Sequence, residues 1–196
     1  MDLQVAAAAL ALLTVSQAPE GGDSLGDTYQ RTRSQLSRQA GSAGGSTVLA
    51  YDRGVTELVQ RYSGLWLELE AGQVRVTELR AAAAAVRAID LADFNEQGRM
   101  NHEARLRNAD SAVAMQQSKF ERDCALAAAA LGELRGRVAG KVDSLFAAEG
   151  ACGSLASGAP PTLCARVAET RAVYEALADA VTREKTRVAS VCGDRP

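Results

Sequence analysis

The chain is poor in most of the residues that betray a chemistry. It holds one histidine, four prolines and three methionines in 196 residues, and its aromatic share is only 4%. The single histidine lies in the charged run Asn101-His102-Glu103-Ala104-Arg105, which does not suggest a Ser-His-Asp relay. No closely spaced Cys-x2-Cys pair occurs, so a zinc site is not expected. A glycine-rich phosphate loop is also missing. The formal net charge of −2 provides no overall field to recruit nucleic acid or an anionic membrane. These absences lead us to expect a non-enzymatic protein with no cofactor, no metal and no nucleic-acid partner.

Long apolar runs are equally scarce. The longest, Val5 to Val15, is broken only by Thr14. It is shorter than the ~20 residues that span a bilayer. It suits the apolar core of a secretory signal, and the small residues around Ser16 suit a cleavage site. A mature amphipathic helix is the alternative, since Asp2 and no basic residue precede the run. The reading is a signal peptide over residues 1–16, export to the periplasm or the exterior, and no transmembrane segment after signal removal.

Residues 17–45 are polar and small, with Gly21-Gly22 and Gly41 to Gly45 around the segment Tyr29–Gln39. They read as a flexible linker or a short docked helix. Arg31, Arg33 and Arg38 make a small basic arm, read as solvated.

The remainder, 46–196, carries helix signals. After a start signal at Ser46-Thr47, apolar residues fall in two rows spaced by seven: Val48, Val55, Tyr62, Leu69, Val76 and Ala83, then Tyr51, Leu58, Leu65, Gly72, Leu79 and Val86. These are the a and d positions of a heptad. The pattern fails at Asp90 and Asp93, and Asn95 to Gly98 offers a turn with Gly98 able to take positive φ. A second helix is expected from about Arg99 to Gly150. Its rows are Leu106, Val113, Phe120, Ala127, Leu134 and Asp110, Gln117, Cys124, Leu131, Val138, Leu145. A third is expected from about Thr162 to Cys192, with Val167, Tyr174, Val181 and Val188 in one row and Arg171 and Lys185 in the next. Leu49, Val59, Trp66 and Leu67 widen the apolar face of the first helix in its first half only. A helix with two neighbours needs a wider face than a helix with one. The fold expected is all-α: an elongated antiparallel three-helix bundle or coiled-coil hairpin, ending in a two-helix projecting tip.

Four cysteines allow three pairings. Cys124 and Cys152 are separated by 28 residues, as are Cys164 and Cys192, and both nested pairs are centred on residue 158, beside Pro160-Pro161. Pairing Cys124 with Cys152 would join points ~42 Å apart on one helix. Pairing Cys124 with Cys164 needs parallel helices and a fully stretched connector. Folding back about residue 158 brings Cys152 to Cys164 and Cys124 to Cys192, so the hairpin is expected to be disulfide-clamped. Four unpaired thiols are the alternative. Ala128, Gly132, Gly136, Gly140, Ser144 and Ala148, one small residue every four, read as a seam against a neighbouring helix rather than a groove for a partner.

The projecting tip lacks a third helix and is the expected partner-contact region, with Phe94, Met100, His102, Arg105 and Arg107 as candidates. Met115 and Phe94 read mainly as core, and His102 as exposed. The function expected is an extracytoplasmic scaffold or adaptor mediating protein–protein contacts. A periplasmic holdase-type chaperone or binding protein gripping clients with helical arms is the alternative.

Overall fold

The computed structural model describes residues 24–40, 52–154 and 161–193. Those residues form four helices and no strand: α1 (Leu25–Ala40), α2 (Arg53–Arg87), α3 (Glu96–Ser154) and α4 (Pro161–Cys192). The expected signal peptide, the Ser46-Thr47 start and the bend at residue 158 lie outside them.

The helix boundaries follow local chemistry. Ser24 caps α1: its Oγ accepts from the Asp27 amide at 3.1 Å and donates to the Asp27 carboxylate at 2.7 Å. Asp52 caps α2, accepting from the Gly54 amide at 2.9 Å. Asn95 caps α3, its Oδ1 accepting from the Gly98 amide at 2.8 Å. This corrects the expected start at Arg99. Gly98 sits in the first helical turn, and the only described glycine with positive φ is Gly193, just past the end of α4. At its other end α3 passes Gly150 and reaches Ser154. Pro161 opens α4, where a missing amide costs no helical hydrogen bond.

α2 and α3 are separate helices that fold back on each other about residue 96. Gly72 faces Phe120, Arg61 reaches Glu133 at 3.1 Å and Arg80 reaches Gln117 at 3.0 Å. α4 returns antiparallel to α3 and parallel to α2. The cysteines are paired as the spacing predicts. Cys124–Cys192 has Cα atoms 5.9 Å apart, and Cys152–Cys164 has them 5.8 Å apart. Both distances suit a disulfide. α1 docks on α4 and on the start of α2, with Leu25 and Tyr29 buried and the Tyr29 hydroxyl donating to Thr56 at 2.9 Å. Residues 25–40 are therefore a docked helix, longer than the Tyr29–Gln39 segment expected.

The width of each buried strip records how many helices surround it. Every described member of the first α2 row, Val55, Tyr62, Leu69, Val76 and Ala83, is buried. A flanking row starts with buried Val59 and half-buried Trp66, then turns to exposed Gln73 and Arg80. That change comes where α4 ends. On α3 the row Leu131, Val138, Leu145 is buried beside α4, but its continuation into the tip is exposed at Asp110 and Glu103. The tip's inner strip instead runs through His102, Leu106, Ala109, Val113, Gln116 and Phe120, all at least half-buried. With one neighbour instead of two, α3 needs one strip fewer. Val167, Tyr174, Val181 and Val188 of α4 are all buried. The tip is long: Glu96 to Cys124 spans ~42 Å of helix.

Two expectations fail on the bundle surface. Gly132, Gly136 and Gly140 do not form an internal seam. They are exposed, and a Cβ on any of them would meet nothing within 4 Å. With Ala125, Ala128, Ala129 and Ala139 they form the solvent side of α3, because α1, α2 and α4 all pack elsewhere. Leu67 is also exposed and Leu49 lies outside the described residues, so among the described ones Val59 and Trp66 supply the wider face.

Two predictions follow from this arrangement. By chain entropy the 68-residue loop closed by Cys124–Cys192 contributes about 4 kcal/mol and the 12-residue loop about 3 kcal/mol. Urea unfolding of paired Cys→Ser variants should therefore show the larger loss for the outer bridge. Replacing Gly132, Gly136 and Gly140 by alanine should add about 0.5–1 kcal/mol each, because helix propensity improves and no clash arises.

Candidate functional site

Two polar knots set the pose of α2, and neither was legible as a pair in the sequence. The first is at its start. The Asp52 carboxylate holds the Arg137 guanidinium of α3, with Nε at 2.9 Å and Nη2 at 2.8 Å from Oδ1. The Asp52 amide donates to the Tyr174 hydroxyl of α4 at 3.4 Å. Gly54 is what lets the guanidinium through, since a Cβ there would overlap it. Partial burial works to raise the Asp52 pKa, but the hydrogen bonds from Arg137 and Gly54 and the charge of Arg137 outweigh it and hold the carboxyl below its usual range. Lys141 sits beside the same knot, 6.0 Å from the Tyr174 ring centre, and burial depresses its pKa.

The second knot lies nearly three turns along. The Tyr62 hydroxyl donates to the buried carboxylate of Glu184 at 2.7 Å. Arg187 lies 3.7 Å from Glu184, 3.4 Å from Glu70 and 4.1 Å above the Trp66 ring centre. Glu184 thus has a hydroxyl and a cation as partners, which offsets the cost of burying it. Burial first, then the bond to Glu184, push the Tyr62 phenol above its ordinary value. Arg171 bridges Glu149 at 2.7 Å and Glu175 at 2.6 Å.

These knots are structural joints, and the surface available to a partner is elsewhere. At the apex, the segment between α2 and α3 is shaped by its own backbone. The Asp90 carboxylate accepts from the Ala92 amide at 2.9 Å, and the Phe94 amide donates to the Leu91 carbonyl at 3.2 Å. The Phe94 ring lies against Gly98, where a Cβ would come within 2.7 Å of it. Phe94 is 40% exposed and Met100 56% exposed, as a contact role requires. Arg105 and Arg107 are exposed too, with Arg107 3.8 Å from Glu103. His102 is the exception. It is only 8% exposed and belongs to the inner strip of the tip, so it is withdrawn as a contact residue. Its spacing of four from Leu106 was the signal. Met115 is 73% exposed, not core, and Ile89, which sequence reasoning passed over, is 40% exposed, five residues before Phe94.

One further concavity, roughly 400 Å³, runs between α3 and α4 at the outer bridge, lined by Phe120, Cys124, Leu131, Val188 and Cys192. Among the described residues no group of three or more His, Cys, Asp or Glu is placed to hold a metal, and no helix is long and apolar enough to cross a membrane. No family model, curated protein or solved structure matches the chain.

The phenol bond gives a pH test. Because the folded state raises the Tyr62 pKa, its contribution is complete below the unfolded value near 10 and is lost as pH rises beyond it. Tyr62→Phe should cost about 1–3 kcal/mol at neutral pH, since Glu184 loses a donor. It should also flatten the alkaline loss of stability. Chemical denaturation across neutral and alkaline pH measures both.

Proposed function

We propose that the protein is a non-enzymatic extracytoplasmic scaffold that holds a partner-binding tip away from a rigid base. The observation that carries this reading is the contrast between its two ends. At one end four helices pack together, and two disulfides tie α3 to α4. Beyond Cys124–Cys192 only α2 and α3 continue, and the segment joining them presents Ile89 and Phe94 to solvent. A stiff stalk with apolar side chains at its apex suits a protein that positions a contact rather than one that encloses a substrate.

Export is part of the proposal. Disulfides persist in oxidising compartments and are rare in reducing cytosol, so the two bridges point outside it. The apolar run Val5–Val15 would supply the route.

A second reading, a holdase that grips unfolded clients, draws on exposed Met100 and Met115, whose flexible side chains adapt to varied partners. It requires several arms acting together and broad client choice. The adaptor requires one specific partner.

The test is a tip deletion that preserves the bundle. Removing residues 83–114 and closing the gap with a short glycine-serine loop leaves Arg80 and Gln117 paired and both bridges intact. In crosslinking and pull-down from the native envelope, the full protein should retain one partner and the deletion should lose it. Retention by the deleted form would rule out the tip, and suppression of aggregation of many unfolded proteins would favour the holdase.

A further inference from the structure

We infer that the apex docks a cationic amphipathic segment of a partner protein, its apolar face on Ile89, Phe94 and Met100 and its lysines or arginines on Asp90, Asp93 and Glu96. This rests on the adaptor reading above and adds the partner's chemistry.

The charge distribution selects the occupant. The whole chain is nearly balanced, with 22 basic and 24 acidic residues. Residues 88–100 depart from that balance, with Asp90, Asp93 and Glu96 against the single basic residue Arg99. All three acids are exposed. They alternate in the chain with apolar side chains that are also exposed: Ile89, Phe94 and Met100. Apolar surface by itself would accept any hydrophobic partner. The acids add selection, because an anionic bilayer or an acidic peptide would be repelled at contact distance. A second copy of this apex would likewise bring acid against acid. A segment with one apolar and one basic face satisfies both features at once.

The apex is also held ready for contact. Phe94 rests on Gly98 and its backbone bonds to Leu91, while Asp90 ties down the Ala92 amide. A site already ordered loses less conformational freedom on binding. The glycine at 98 follows from this: any larger residue would displace the Phe94 ring, since a Cβ there falls 2.7 Å from it. The contact is small, so binding should be modest and should weaken with salt.

The experiment uses the full disulfide-bonded protein and a labelled leucine-lysine helical peptide of about 18 residues, or five turns. Controls are the same peptide with glutamate for lysine, and vesicles containing anionic phospholipid. Fluorescence anisotropy at low salt should show binding of the lysine peptide alone. The triple variant Asp90→Asn, Asp93→Asn, Glu96→Gln should weaken it about tenfold and remove its salt dependence. Phe94→Ser should weaken it with the salt dependence kept. Circular dichroism of both variants should match the parent. No binding of the lysine peptide, equal binding by the variants, or equal binding of the glutamate peptide or the vesicles would each overturn the inference. The adaptor reading fails separately, only if the tip deletion still retains its partner.

Discussion

The covalent register between α3 and α4 is the constraint on which the rest depends. Two bridges whose arms both span 28 residues fix the level of α4 against α3 at both ends. That decides where α4 stops, and so where the three-helix section gives way to two. The described core is mainly leucine and valine, most of the chain's alanines lie outside it, and the hydrophobic term scales with the apolar area buried. The bridges add to that term by restricting the unfolded chain, because they act on chain entropy rather than on core thickness.

Given that register, α2 is placed by groups that could not be left unpaired. Asp52 joins the cap of α2 to Arg137 and to Tyr174, and Tyr62 finds Glu184 nearly three turns further on. These bonds reach from α2 to both helices of the disulfide hairpin. They favour the parallel level of α2 against α4 over a slip by a heptad, which the repeating apolar rows alone would tolerate. α1 then covers α4 and touches the start of α2, which thickens the base and leaves the tip bare.

The same inequality frames the functional reading. Where helices are numerous, buried strips are wide and the chain is locked. Where only α2 and α3 remain, the strips narrow, the former third strip turns charged, and apolar side chains appear at the apex. The alanine and glycine face of α3 shows the reverse case, a helix surface of low propensity cost only at its glycines and with no neighbour to use it.

Much of this was legible in the residues themselves. Heptad spacing gave the helices and most of their buried positions, because period alone sets which face can be shared. Equal cysteine intervals gave the pairing, because two antiparallel rods have one bend that satisfies both bridges. Distribution of Val59 and Trp66 gave the short reach of α4. What the sequence could not decide was which side of each helix would be left over. The small residues of α3 are compatible with a tight seam and with open solvent alike, and only the placement of α1, α2 and α4 made them surface. His102 is polar and flanked by charge, yet it is buried, because with α4 absent the inner strip of α3 turns toward α2 and takes position 102 with it. The pairings of Asp52 with Arg137 and of Tyr62 with Glu184 join residues 85 and 122 positions apart. Such contacts depend on the relative rotation and level of three helices, and no local pattern encodes them.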